Sequence, residues 1–149
     1  MEPNEGARQQ RMAVLARGDA RQLAEGWASL GIDPEFELVR GPETGLIALR
    51  GRMGGGGAPF NFGEATATRA TVRLGDGTVG HAIALGRDAG RVKLAAVIDA
   101  LAQDEAMAER IDAAIIAPLQ EALDARDRRR AAETAATRVD FFTMVRGED

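Results

Sequence analysis

The dipeptide Asp76-Gly77 lies between two runs of strand-favouring residues and constrains this chain more than any other feature. Asp-Gly is a favoured two-residue type I′ hairpin turn, since both central residues need positive φ and glycine takes it without a Cβ penalty. A turn of two residues sets a register across the hairpin 65–85. It predicts Leu74 opposite Val79, Val72 opposite His81, Ala70 opposite Ile83 and Thr68 opposite Leu85. One face of that hairpin is then almost wholly apolar, with His81 on it. The other face carries Arg69 and Arg73 beside Ala84, Ala82 and Gly80. So little side chain there leaves room over the sheet for another element, a partner or an anion.

Upstream, residues 36–53 read as a first hairpin. Phe36-Glu37-Leu38-Val39 leads into the turn-rich pentamer Gly41-Pro42-Glu43-Thr44-Gly45. The return strand alternates, with Ile47, Leu49 and Met53 on one face and Ala48, Arg50 and Arg52 on the other, the mark of a strand with one buried face. Residues 54–63 form a Gly-rich loop that opens with four consecutive glycines. Such a run loses too much backbone entropy to sit inside a strand or helix. Two consecutive hairpins predict one four-stranded antiparallel sheet.

Helices flank the hairpins. Residues 5–17 and 19–30 carry Val14, Leu15, Leu23, Trp27 and Leu30 at helical spacing, with Asp19 as N-cap and Gly31 as stop. Residues 88–103 form a third helix starting at Asp88, and 107–117 a fourth. Pro118 suits the first turn of a fifth, Ala- and charge-rich helix to about residue 138. The order αα–ββ–ββ–ααα makes a single α+β domain over 1–149, with helices on one face of the sheet. Residues 139–149 form an apolar C-terminal tail that predicts docking, either on its own chain or on another.

Composition limits the chemistry. The chain has 149 residues, no cysteine, no tyrosine, one histidine (His81) and one lysine (Lys93) against 18 arginines. Disulfides, Cys-zinc sites and thiol nucleophiles are excluded, and so is a two-His metal site within one chain. The net charge of -4 argues against general nucleic-acid binding. No apolar run reaches the length of a membrane span. The N-terminus lacks the apolar core of a signal peptide, which makes the cytoplasm the default location. About a fifth of the residues are alanine, which predicts a lean core and a domain that draws part of its stability from a partner surface.

Several ordered motifs then coincide with a known family. They are Glu43-Thr44-Gly45-Leu46, Arg52-Met53-Gly54-Gly55 and Gly63-Glu64-Ala65-Thr66-Ala67-Thr68-Arg69-Ala70. Val72-Arg73-Leu74, Asp76-Gly77-Thr78, Gly86-Arg87-Asp88 and Ile116-Ala117-Pro118-Leu119 follow. The tail Arg138-Val139-Asp140-Phe141-Phe142-Thr143-Met144-Val145-Arg146-Gly147 completes the set. With them the chain resembles the PhnG family, the small subunit of the bacterial carbon–phosphorus lyase core complex. The resemblance implies a phosphonate-degrading, hetero-octameric assembly with three other core subunits. It implies that a larger nucleosidase-like partner displaces adenine from Mg-ATP with an alkylphosphonate, yielding α-D-ribose 1-methylphosphonate 5-triphosphate. It supplies no catalytic residue and no cofactor or metal for this subunit itself; the complex acts on Mg-ATP. Two alternatives stand beside that reading: a scaffold that only stabilises the large subunit, and an independent small phosphate-handling enzyme. The second lacks the Lys-Ser/Thr that would follow a Walker A loop.

The candidate site residues each carry two readings. Gly54 and Gly55, with Arg52 before them, either present N–H groups and charge to a phosphate or make a connector or subunit-contact loop. Arg69 and Arg73 either clamp a phosphate or a partner's carboxylate, or pair within the chain. Arg87, where a strand meets a helix, either assists an anion at the helix N-terminus or belongs to a plain cap. His81 reads as a buried, hydrogen-bonded residue. Phe141, Phe142, Met144 and Val145 are the predicted subunit-interface residues.

Overall fold

The computed structural model describes residues 3–138. Two helices open it, α1 (Pro3–Arg17) and α2 (Ala20–Leu30). The sharp junction between them follows from Asp19, whose side chain accepts a hydrogen bond from the Gln22 amide at 2.9 Å. Gly31, in the left-handed region, ends α2. Three strands follow, β1 (Phe36–Gly51), β2 (Phe60–Leu74) and β3 (Val79–Leu85). Then come α3 (Ala89–Leu101), capped by Asp88 on the Arg91 amide, and α4 (Glu105–Ile111). A π turn over Asp112–Ile116 joins α4 to α5 (Ala117–Ala136) without a break. Pro118 has no N–H for the carbonyl four residues back, and the chain widens here instead of starting a separate helix.

The sheet is three-stranded and antiparallel, in the order β1-β2-β3, and not four-stranded. The expected turn at Gly41–Gly45 does not form. β1 runs straight through it with register irregularities around Arg40 and Glu43, and Gly41-Pro42 is a cis peptide. β1 is an edge strand, where an irregularity can absorb a proline that a central strand would reject. The turn falls instead at the glycine run, so 36–74 is one long hairpin. Phe60–Gly63, expected in the loop, open β2.

The second hairpin forms, but one residue out of the expected register. Arg73 faces Val79, Thr71 faces His81, and Arg69 faces Ile83. The loop has three residues, Gly75-Asp76-Gly77. The Gly77 amide bonds the Leu74 carbonyl, and Leu74 in turn bonds Thr78. Gly77 sits at φ 90°, the position after a turn that favours glycine in three-residue hairpins. A slip of one residue exchanges the faces of a strand. Hence His81, Ile83 and Leu85 point away from the helices, and Gly80, Ala82 and Ala84 point toward them.

The reason lies in α3. A Cβ on Gly80 would collide with the Ala96 carbonyl and lie 2.5 Å from the Ala100 amide nitrogen. Helix and strand approach so closely because both present only small residues. From Ala95 to Ala100 every residue of α3 is buried. A helix apolar on nearly all sides is an interior one. One side of α3 packs on Ala70, Val72 and Ala84, and the other joins a helical core of Val14, Leu15, Leu23, Ile98, Ile111, Ile115 and Leu119. Asp99 is the charged exception in this stretch. Its carboxylate takes a two-toothed ion pair from Arg8 of α1, with Nε at 2.9 Å and Nη2 at 2.8 Å. It also accepts the His81 amide at 2.9 Å. The Arg8 guanidinium is held more firmly protonated by its own hydrogen bond to Asp99. Arg91 adds a further tie, donating from Nη2 to the Leu15 and Ala16 carbonyls at the end of α1.

Candidate subunit interface

All the helices lie on one face of the sheet, and the described residues leave the other face bare. That outer face is built from directly paired residues: Glu37–Arg73–Val79, Arg40–Thr71–His81, Glu43–Arg69–Ile83, Gly45–Ala67–Leu85 and Ile47–Ala65. Its first three rows are polar and self-paired. Arg73 Nη1 lies 3.0 Å from Glu37 Oε1, and Arg69 Nε donates to Glu43 Oε1 at 2.5 Å. Arg40 reaches the same Glu43 oxygen at 3.0 Å. Arg69 and Arg73 are thus paired within the chain through β1, and they do not converge as a clamp on open space. His81 is exposed on this face, with Nδ1 3.1 Å from Thr71 Oγ1, so the expectation of a buried histidine is overturned by the register.

The Arg69 hydrogen bond, aided by both arginine charges, holds the Glu43 carboxyl below the usual glutamate range. The pair therefore persists at a pH where an unpaired glutamate is already protonated, and opens only below it. A carboxyl-carbon NMR titration of Glu43 should show this lowered midpoint, and Arg69→Ala should return it toward the ordinary value. An unchanged midpoint in that variant would mean Arg69 is not the cause. Because both side chains are about half exposed, removing the pair should change stability little.

Beyond Glu43 the outer face turns apolar. Ile47 on β1 and Ile83 on β3 wall a groove of about 320 Å³ floored by Gly45 and Ala67, with Arg69 and Glu43 at one end. Ile83 is 50% exposed and Leu85 65%. β3 ends at Leu85, opposite Ala67, so β1 and β2 continue past it as a two-stranded arm. The arm exposes Leu46, Phe60, Phe62 and, at its tip, Met53. Phe62 lies over Gly51, and the two phenylalanine rings tilt at 60° with centroids 6.1 Å apart. A two-stranded ribbon is marginal in water by itself. An exposed apolar set of this size marks a contact surface.

The other sequence candidates are scattered. Arg52, Gly54 and Gly55 sit at the arm tip, while Arg87 is exposed in the short turn between β3 and the cap of α3. Phe141, Phe142, Met144 and Val145 lie outside the described residues. Sequence reasoning missed Ile83, Leu85 and Ile47 as surface residues. A signal was there: Gly80, Ala82 and Ala84 alternate with larger residues, and glycine in a strand marks a close backbone approach. Among the described residues no three His, Asp or Glu side chains converge, and no helix is long and apolar enough to cross a membrane.

Residues 6–147 match the family described as phosphonate metabolism protein PhnG. The chain is 54% identical over 142 residues to a protein of Rhizobium meliloti (strain 1021), covering 95% of this chain and 90% of that one. The relative is named alpha-D-ribose 1-methylphosphonate 5-triphosphate synthase subunit PhnG.

Proposed function

Because the chain belongs to the PhnG family of phosphonate metabolism proteins, we propose that it is a subunit of an α-D-ribose 1-methylphosphonate 5-triphosphate synthase, working without a reaction centre of its own. The 54% identity to a named subunit of that synthase, over nearly the whole chain, carries the reading. The bare outer sheet face and the unsupported arm support a dependent role. So does the self-paired state of Arg69 and Arg73, whose guanidinium groups are turned onto Glu43 and Glu37 of β1.

In this reading the assembly is the hetero-octamer of the carbon–phosphorus lyase core, in the cytoplasm. The chain's chief contact is the large nucleosidase-like subunit. The reaction breaks the bond from C1′ of Mg-ATP to adenine and forms one from C1′ to a phosphonate oxygen, with adenine leaving. A small subunit contributes by completing the partner's fold and by shutting out water that would compete with the phosphonate.

Adenine release from ATP plus methylphosphonate tests this, using the chain alone, the large subunit alone and the mixture. Transfer to phosphonate is expected only with the mixture, with hydrolysis at most from the large subunit. Activity of the chain alone would overturn the dependent role. A large subunit that transfers equally well alone, but survives heating better with the chain, would make the chain a pure stabiliser. For the surface itself, Ile83→Asp is expected to abolish co-purification with the partner while leaving the chain's own melting point within a few degrees, because Ile83 is half exposed. Deleting 139–149 is expected to weaken co-purification too. Undiminished co-purification of both variants would remove this face and the tail from the interface.

A further inference from the structure

The tip of the arm differs in charge from the rest of the chain. The protein carries a net charge of -4, yet from Arg50 to Gly63 there is no acidic residue and there are two arginines, Arg50 and Arg52. Both are exposed, and neither makes an ion pair among the described residues. Most other sheet arginines have a carboxylate: Arg40 and Arg69 share Glu43, and Arg73 has Glu37. Arg50 and Arg52 are two residues apart on extended backbone, which places them on the same side of the strand.

The loop they enter is shaped for close approach. After the single helical turn at Met53, Gly54 and Gly55 take φ of 63° and 76°. Both lie in the left-handed region, which glycine takes without strain, and they leave the main chain here free of side chains. The loop is closed behind by the Gly57 amide on the Met53 carbonyl at 3.2 Å. No atom lies within 4 Å of where a Cβ would stand on Gly54, Gly55 or Gly56, so a ligand can reach the backbone. The arm holds this tip six residue pairs beyond the end of β3, roughly 20 Å from it.

We infer that the tip is an oxyanion site offered to a partner's active centre, in which Arg50, Arg52 and the Gly54–Gly55 backbone hold tetrahedral phosphoryl or phosphonyl oxygens. The inference rests on the subunit reading above. Arginine's planar fork suits such oxygens. A site on a cantilevered arm is placed to work in trans.

The test uses the full chain, alone and in the reconstituted complex, with inorganic tripolyphosphate and methylphosphonate as separate probes. On the isotopically labelled chain, tripolyphosphate or methylphosphonate is expected to shift the Gly54–Gly57 amide resonances, and the Arg50→Ala/Arg52→Ala variant to lose the shifts. In the complex, the double variant is expected to assemble with unchanged stoichiometry. The affinity for the probe that binds should fall about tenfold or more, with KM for the matching substrate rising by a similar factor and kcat changing less. The probe that responds identifies which end of the product the tip holds. Gly55→Ala, which keeps both arginines but strains a left-handed backbone position, should weaken the same probe. Unchanged affinities for both probes in an assembled complex would overturn the site. Loss of assembly in the double variant would overturn it too, making the arginines partner contacts. If the wild-type chain failed to assemble, the subunit reading would fall, and the amide shifts of the free chain would still decide whether the tip binds oxyanions.

Discussion

Gly80→Ala is expected to destabilise the protein by about 3 kcal/mol or more, a large loss for one methyl group. The added carbon has no free volume: it would meet the Ala96 carbonyl and the Ala100 amide, and lie 2.7 Å from the Ala100 Cβ. Those are backbone atoms of an interior helix that cannot swing aside as a flexible side chain could. Relief requires α3 to lift from the sheet, which opens the contacts of Val72, Ala70 and Ala84 with Ala96, Val97 and Ala100. For a chain of this length, the melting temperature should fall by about 10 °C or more. Gly75→Ala is the control, since nothing lies within 4 Å of its Cβ position and its φ is not positive. It should shift stability by no more than about 0.5 kcal/mol. Equal melting points for the two variants by circular dichroism would refute the close helix–strand contact.

The second large effect is expected at Asp99. Asp99→Ala removes a carboxylate whose side chain is 2% exposed and which serves three donors: two on Arg8 and the His81 amide. The lost pairing detaches α1 from α3 and orphans an amide on the outward edge of β3. Breaking a buried pair from one side costs about 3 kcal/mol. Arg11–Asp112 supplies the comparison. Its geometry is equally good, at 2.7 and 2.8 Å, but the Asp112 side chain is 42% exposed. Asp112→Ala should cost about 1 kcal/mol. Asp99→Asn keeps an acceptor for the His81 amide and should fall between the two. Urea unfolding with an unchanged slope reads all three. If Asp99→Ala were no worse than Asp112→Ala, the buried carboxylate would not hold α1 in place.

The parts of this fold that were legible in the amino-acid order are those governed by local chemistry. Asp19 and Asp88 cap helices by their own side chains, and Gly31 stops one by its φ. The errors arose where distant residues decide. Gly41-Pro42 has turn composition, but β2 supplies a neighbour all along β1 and draws the segment into a continuous strand with bulges. Asp76-Gly77 was correctly a turn, yet its loop length depends on which face of β3 α3 can approach. Only the helix packing made Gly80, Ala82 and Ala84 the inner face. Asp99 was readable in principle, as a lone acid within the apolar run Leu94–Leu101. The candidate site was legible in a different way. The motifs identified a family, whereas Arg69 and Arg73 owe their closed state to Glu43 and Glu37, two carboxylates placed opposite them by a register that local patterns do not encode.

The arm has a consequence for how the isolated protein will behave in solution. Most of its amides are held by one neighbouring strand with no layer of side chains over them. They should exchange with deuterium through small local openings, in minutes, while those of Ala95–Ala100 exchange only through near-complete unfolding. The free chain is thus expected to show two tiers of exchange, and assembly to bring the arm to the slower tier with no change in α3. A single melting temperature for the unassembled chain would report the helical body alone and would be silent about the arm.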